Sequence, residues 1–228
     1  EIVRESGMDI DIKGFEKEMT EQRNRARESS KFGGDQAKIR VYEELSIGNT
    51  QFVGYDQLTG SSIVLGLVSD GKSVNKATEG DVVEIALVDT PFYPEGGGQV
   101  GDAGEMVGSG CRLVISDTQT VMPGLIMHTG TVQEGTISLG QTIDTHVDPI
   151  RREDTARNHT ATHLLHAGLR QILGTHVRQA GSLVAPDRLR FDFSHVGPVS
   201  SDEIEQIELL VNEKIRQNAG VRHDEDAY

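Results

Sequence analysis

Two histidines four residues apart, His159 and His163, are the strongest candidates for chemistry in the sequence. In an α-helix this spacing places both imidazoles on one face, one turn apart, so that they can reach the same metal ion. The residue after His159 is Thr160, whereas zinc proteases with the pattern H-E-x-x-H need a glutamate there as the general base. The spacing therefore fits two zinc ligands or two surface histidines, and it disfavours a metalloprotease.

A glycine-rich segment at residues 91–102 is the second candidate. Gly96, Gly98 and Gly101 formally match the pattern G-x-G-x-x-G. A dinucleotide-binding fingerprint has to follow a strand and open a helix, but a proline precedes these glycines and no helical pattern follows them. The segment itself holds no G-K-[ST] sequence, so it is not a P-loop either. The segment therefore predicts a tight turn or a backbone that approaches a ligand closely.

Three stretches of different periodicity must position these residues, and together they predict an α+β fold. Apolar residues at helical spacing, Ile12, Phe15 and Met19, predict a linker helix within residues 1–37. The run at 29–34 interrupts the pattern with two glycines and predicts a linker. A small antiparallel β-barrel is predicted for 38–150, followed by the first half of an α/β two-layer core at 151–228.

The barrel prediction rests on short runs rich in Val, Ile, Leu and Thr, without any helical period between them. Asp70-Gly71 between two apolar runs is a strong hairpin signal. Several short strands at close spacing are typical of a small barrel or sandwich, and we expect a closed or nearly closed barrel with no helix longer than two turns. The runs that predict strands are 63–68, 82–88, 112–115, 126–132 and 141–147.

The third stretch changes to helical spacing at residue 155. A helix is predicted for 155–173, with Gly174 as its stop signal. A strand at 189–193 follows, and then a second helix at 201–218, which Ser201 or Asp202 can cap. This stretch carries the histidine pair.

Charge and composition exclude several classes of protein. A formal net charge of −14 disfavours tight non-specific binding to nucleic acids such as DNA. Residues 151–190 hold seven arginines against three acidic residues, so this stretch is either a place of phosphate contacts or ordinary solvated surface. No apolar run approaches the roughly 18 residues of a membrane span. The single cysteine, Cys111, excludes intrachain disulfides and favours a cytoplasmic protein. The start, with neither a signal sequence nor an initiator methionine, predicts an excised piece.

Longer stretches around both candidates resemble alanyl-tRNA synthetases and their free-standing editing relatives. Threonyl-tRNA synthetases share a related H-x-x-x-H editing fold, but they lack a glycine-rich barrel segment before it. The likeness extends into the opening helix at 11–27 and covers nearly the whole chain. The matching stretches, in the expected order, are 89–104, 158–166, 174–177, 179–184 and 190–195.

The resemblance implies that the chain is an internal fragment of an alanine–tRNA ligase. In that family the editing domain hydrolyses seryl or glycyl esters on tRNA(Ala), so the expected partners are tRNA(Ala) and its mischarged forms. The aminoacylation domain, which uses ATP and magnesium, is expected outside this chain. Two alternatives stay open, a free-standing deacylase of the same superfamily and a tRNA-binding module without catalysis. The opening helix favours the synthetase, because the smallest free-standing forms begin near the barrel.

The resemblance also assigns the site. His159 and His163 correspond to the first two zinc ligands, and no catalytic residue is assigned. The second zinc pair, a C-x-x-x-H, has no counterpart before Tyr228, so we expect this chain to bind zinc weakly or not at all. His166 is a conceivable third ligand one turn further along the helix, and Gln179 is expected near the open face of the histidine pair. The residues placed at the editing pocket are Gln179, Gln99, Gly97, Gly98 and Thr162.

Overall fold

The computed structural model of the chain describes residues 14, 17, 19, 32–45 and 47–220. The chain divides into two compact units, one formed by Glu1–Ser46 with Gly71–Ser73 and the other by Ile47–Asp70 with Val74–Tyr228. The linker helix predicted at 11–27 lies, apart from positions 14, 17 and 19, outside the described residues. No helix in the described part of the chain is both long and apolar enough to cross a membrane.

The first unit contains helix α1 (Phe32–Glu44). The linker predicted at 29–34 is therefore wrong for residues 32–34, and the barrel predicted from residue 38 starts too early, because 38–44 are helical. Gly33 and Gly34 lie in the first turn, where backbone N–H groups have no intrahelical partner and a glycine disturbs less than in a helix interior. Tyr42, near the other end of the helix, is buried.

Ten strands follow α1 along the chain, and six of them form a closed antiparallel barrel. The barrel order is β2-β5-β9-β8-β7-β10, and β10 pairs back onto β2, for example Asp144 with Ser61. The predicted α+β fold with a small antiparallel barrel is confirmed. The strands are β1 (Gln51–Phe52), β2 (Thr59–Ser69), β3 (Lys72–Ser73), β4 (Lys76–Thr78), β5 (Val82–Leu87), β6 (Asp89–Thr90), β7 (Gly104–Gly108), β8 (Cys111–Met122), β9 (Leu125–Ser138) and β10 (Thr142–Val147).

The barrel interior is filled by apolar side chains from several strands. Leu67, Ile85, Leu113 and Ile143 come from four different strands and are fully or almost fully buried. Each run predicted as a strand coincides with β2, β5, β8, β9 or β10, apart from residues 88 and 141, which lie just outside β5 and β10. Asp70 and Gly71 both have positive φ, at 49° and 69°, as the central residues of the predicted hairpin turn require.

Helix α2 (Pro149–Leu173) begins where the barrel ends. Its N-cap is Asp148, whose carboxylate accepts hydrogen bonds from the amides of Ile150 and Arg151, both at 3.0 Å. The helix therefore starts six residues before the predicted position at 155. Pro149 suits the first turn of this helix, since the N–H group that proline lacks would have no partner there. Gly174 ends the helix as predicted.

The strand pair β11 (Arg178–Val184) and β12 (Leu189–Ser194) forms a two-stranded antiparallel sheet. Helix α3 (Ser201–Gln217) follows and packs against α2. Gly168 lies at this contact, where an added Cβ would be 3.3 Å from Val211 Cγ2. β12 and α3 match their predictions, but the cap of α3 is Ser200, in a capping box with Glu203, rather than Ser201 or Asp202. β11 was not predicted, because its alternation is broken at Gly181, where the pairing register shifts.

Candidate functional site

Helix α2 presents His159 and His163 on one face. Their rings are stacked, with centroids 5.1 Å apart and planes within 11° of parallel. His159 is half-buried and His163 is exposed. The two imidazoles therefore lie next to each other on one face of the helix.

The glycine-rich segment forms a tight turn at residues 96–99. The Gly96 amide donates to the Gln99 carbonyl at 3.1 Å, and the Gln99 amide donates to the Gly96 carbonyl at 2.9 Å. The two central residues, Gly97 and Gly98, have φ values of 60° and 85°. Glycine adopts these angles without steric cost, so the segment is the tight turn that the sequence allowed.

The turn also makes a close backbone contact with β11. A Cβ atom on Gly98 would lie 2.3 Å from Ser182 Oγ and 2.8 Å from the Ser182 carbonyl oxygen. The Val184 amide donates to the Gly98 carbonyl at 2.7 Å, and the Val100 amide donates to the Val184 carbonyl at 3.0 Å. The barrel turn and the second sheet are thus joined by backbone hydrogen bonds.

Gln99 connects the turn to the histidine pair. Its side chain is buried, at 8% exposure, and its Oε1 lies 2.7 Å from Nδ1 of His159. These two residues are 60 positions apart in the sequence. The structure therefore brings one residue of the predicted editing pocket into direct contact with one predicted metal ligand.

An ion pair fixes the start of α2 to the barrel. The Arg152 and Asp102 side chains are 17% and 4% exposed, and Arg152 Nε donates to both carboxylate oxygens at 2.9 and 3.1 Å. The guanidinium also donates to the carbonyls of Gly54 and Pro91, each at 2.8 Å. In the sequence Arg152 is only one of seven arginines at 151–190, because a contact between residues 50 positions apart leaves no local signal.

Asp102 closes the glycine-rich segment into a loop. Its carboxylate accepts from the Tyr93 amide at 2.7 Å, and its own amide donates to the Tyr93 carbonyl at 2.9 Å. Burial raises the pKa of the Tyr93 phenol, and the nearby Tyr55 and Asp102 raise it further. The segment that carries Gln99 is therefore held at both ends.

The remaining pocket candidates lie around this centre. Gln179 is exposed, and its Nε2 donates to Ser182 Oγ at 3.1 Å, which links it to the glycine turn through Ser182. Its position at the open face of the histidine pair stays a prediction. Gly97 is exposed, and a Cβ atom added to it would have open space around it. Thr162 is buried, and its hydroxyl donates to the Asn158 carbonyl of its own helix at 2.8 Å.

The third candidate ligand, His166, does not join the pair. Its ring packs against Phe191, with centroids 5.1 Å apart, and its buried Nε2 has no hydrogen-bond partner among the described residues. Cys111 is buried in the barrel. Among the described residues, no group of three or more His, Cys, Asp or Glu side chains could hold a metal ion. His159 and His163 fit two of the four ligands of a zinc centre. The side-chain carbonyl of Gln99 on Nδ1 of His159 agrees with this, since a metal-bound histidine commonly has a carbonyl or carboxylate on its second nitrogen.

Most arginines of the locally basic stretch are already paired. Arg157 pairs with Glu153 and Asp154, Arg188 with Asp187, and Arg190 with Asp192. Within the described part of the chain, Arg151, Arg170 and Arg178 form no ion pair. Of these three, only Arg178, at the start of β11, is exposed, so it is the best placed to contact an anion.

A second histidine pair lies beside Arg178. Nε2 of His176 and Nδ1 of His195 are 2.9 Å apart, and the two rings are stacked with centroids 5.1 Å apart. The pairing of Arg178 with Ser194 brings these residues together at one end of the two-stranded sheet. This pair could not be predicted from the sequence, because the two histidines are separated by 19 positions with no common periodicity.

Comparisons with known proteins agree with the resemblance. A family model described as tRNA synthetases class II (A) matches residues 1–151. The chain is 45% identical over 227 residues to an alanine–tRNA ligase of Roseiflexus sp. (strain RS-1), and 47% identical over 221 residues to that of Stenotrophomonas maltophilia (strain K279a). These matches cover 100% and 96% of this chain but 25% of each relative. The chain thus spans about a quarter of the length of the curated relatives it matches.

Proposed function

Because the chain belongs to the class II (A) family of tRNA synthetases, we propose that it is part of an alanine–tRNA ligase in which this region hydrolyses mischarged tRNA(Ala). The substrates are seryl-tRNA(Ala) and glycyl-tRNA(Ala). The observation that carries the proposal is the contact of Gln99 with His159, which joins the glycine-rich turn to the histidine pair. Neither the barrel nor helix α2 needs this contact in order to fold.

A second hydrolytic site answers a physical limit on recognition of alanine. A pocket sized for alanine cannot exclude the smaller glycine, and it rejects the added hydroxyl of serine only weakly. An ester on a ribose hydroxyl is already activated, so the site mainly has to position a water molecule and polarise the carbonyl. A region separate from the aminoacylation domain can supply this.

In this proposal His159 and His163 supply two of the ligands of a zinc ion, and a downstream C-x-x-x-H pair supplies the others. Zinc, when bound, either activates the attacking water or positions the terminal adenosine. Gln179 and Ser182 lie together beside the turn, where an amide and a hydroxyl can hydrogen-bond to the amino acid or the ribose. Gly97, which has open space around it, allows the backbone to approach that ligand closely, and Gly98 allows the turn to contact Ser182.

The other parts of the proposal follow from the alanine–tRNA ligase assignment. The binding partner is tRNA(Ala), and Arg178 with the His176/His195 pair is the place that best suits a phosphate contact. ATP and magnesium serve an aminoacylation domain elsewhere in the protein, and the protein acts in the cytoplasm. The similarity to complete ligases along all or nearly all of the chain favours this over a free-standing deacylase.

Deacylation of serine-charged tRNA(Ala) tests the proposal. The chain is compared with a version extended at its C-terminus to include the C-x-x-x-H pair, each with and without His163→Ala. Hydrolysis by the extended version that is lost in His163→Ala is the expected result. If neither version hydrolyses the ester, the editing assignment is refuted.

The second candidate function is a tRNA-binding module without catalysis. It is favoured by the histidine pair, because the described residues supply only these two side chains at the site. A gel-shift assay with uncharged tRNA(Ala) separates the two functions. Retained tRNA binding by an extended version that hydrolyses nothing would establish the module.

A further inference from the structure

We infer that Gln99 is a positioning residue that sets the tautomer of His159. Its side-chain carbonyl accepts the Nδ1 proton of the imidazole, so that the lone pair lies on Nε2. The inference deepens the proposed function, on which it rests. It makes the barrel, rather than α2 alone, responsible for preparing the histidine pair for a metal ion.

The contact geometry specifies the tautomer. Gln99 Oε1 and His159 Nδ1 are 2.7 Å apart, which is a short N–H···O hydrogen bond. An amide oxygen can only accept, so the ring nitrogen that faces it must carry the proton. A neutral imidazole has one N–H group, and the proton on Nδ1 therefore leaves Nε2 as the basic nitrogen.

Gln99 is held in place by its backbone as well as by its burial. Its amide donates to Gly96, and the next residue, Val100, donates to Val184 of β11. Its side chain is 8% exposed, so few other rotamers are open to it. Most of the entropy cost of ordering a glutamine side chain is therefore met during folding, before any metal binds.

The effect extends to the second histidine. The ring of His163 lies parallel to that of His159 within 11°, with centroids 5.1 Å apart. Fixing the first ring therefore restricts the orientation in which the second can stack on it. Partners of this kind orient metal-bound histidines, and their loss typically costs about 10–100-fold in metal affinity.

Nitrogen NMR on the metal-free chain tests the inference without any metal or activity. Long-range ¹H–¹⁵N correlations at about pH 8, where imidazoles are neutral, distinguish an Nδ1–H ring from an Nε2–H ring. The resonances of His159 are identified among the eight histidines by their loss in His159→Asn. We expect the Nδ1–H form to predominate in the unmodified chain.

Three variants separate the effect of the Gln99–His159 hydrogen bond on the tautomer from any effect on folding. Gln99→Leu keeps the size of the side chain and removes the acceptor, so the ratio of Nδ1–H to Nε2–H should fall about tenfold. Gln99→Glu keeps an acceptor and should retain the Nδ1–H form. Gln133→Leu, at an exposed position of β9, is the matched control and should leave the ratio unchanged.

Two results would overturn the inference: an Nε2–H ring in the unmodified chain, or a ratio in Gln99→Leu equal to that in the Gln133→Leu control. If Gln99→Leu unfolds, the unmodified chain and Gln99→Glu still decide the question. The deacylation assay is independent of this test. A changed tautomer without ester hydrolysis would refute the proposed function alone, whereas hydrolysis with an unchanged tautomer would refute the role of Gln99 alone.

Discussion

The barrel and helix α2 use histidine in opposite ways. His128 in the barrel is fully buried, with Nε2 2.8 Å from Thr90 Oγ1 and Nδ1 2.8 Å from the Ile85 carbonyl. Burial lowers the pKa of His128 to about 4. His159 and His163 lie instead where α2 meets the glycine-rich turn, and the His163 ring is exposed. A histidine with both nitrogens engaged inside a core supports the fold, whereas a stacked pair at a junction can serve a ligand.

The first way to sharpen this comparison is a zinc titration, where we expect the largest effect. The chain should bind zinc weakly, because two imidazoles supply half of a tetrahedral ligand set. Extending it with the expected C-x-x-x-H pair should raise the affinity by orders of magnitude, since a closed ligand set couples metal binding to folding. Calorimetric titration of both versions at one pH measures the difference.

Substitutions of the buried His128 and of the His159/His163 pair should have different effects on zinc affinity in this titration. His163→Ala should abolish the gain in zinc affinity of the extended version, and His128→Gln should leave it unchanged. Tight stoichiometric binding by the shorter chain, lost in His163→Ala, would contradict the prediction, because it would require a third ligand within these 228 residues.

Removing the Arg152–Asp102 ion pair, which joins α2 to the barrel, should have the next largest effect, here on stability. Arg152→Ala leaves the Asp102 carboxylate buried without its partner, so the free energy of unfolding should fall by about 3–5 kcal/mol. Urea denaturation followed by circular dichroism gives this value. Arg157→Ala is the matched control, because both partners of that helical pair are mostly exposed, and it should cost about 0.5 kcal/mol or less. Equal losses in the two variants would show that the Arg152 pair does not hold the regions together.

The buried histidine should make stability depend on pH. The pKa of His128 falls from 6.5 to about 4 on folding, so between these values the unfolded state binds more protons. The stabilisation is thus complete above about pH 6.5 and is lost as the pH falls towards 4, by roughly 3 kcal/mol. Urea unfolding of the unmodified chain and of His128→Gln across this range isolates the contribution. Parallel pH profiles for the two proteins would argue against it.

The smallest effect on stability is expected at the glycine turn, residues 96–99, which joins the barrel to β11. Alanine at Gly97 or Gly98 is strained by the positive φ, at about 1–2 kcal/mol. At Gly98 the new Cβ also meets Ser182, so Gly98→Ala should be less stable than Gly97→Ala by a further 1–3 kcal/mol or so. Thermal unfolding of the two variants side by side measures this difference. Identical midpoints would mean that the close contact of Gly98 with β11 is not maintained in solution.

The periodic parts of the molecule could be predicted from the sequence. Runs rich in Val, Ile, Leu and Thr marked β2, β5, β8, β9 and β10, and the four-residue spacing placed His159 and His163 on one face of α2. These features depend on backbone geometry over a few residues, which the local sequence carries. Element ends were less predictable, as α1 and α2 show, because capping and the placement of glycine or proline compete with the average pattern.

Local sequence was enough to predict strand-like and helical runs, the hairpin turn at Asp70-Gly71, the shared helix face of the two histidines and the likeness to alanyl-tRNA synthetases. Which distant residues meet follows from the folded chain alone. The contacts of Gln99 with His159 and of Arg152 with Asp102 join residues 60 and 50 positions apart. Such contacts depend on closure of the barrel and on the way its glycine-rich turn packs against β11 and α2. No local spacing encodes them, because they arise from the combined geometry of many strands rather than from the repeat of any one.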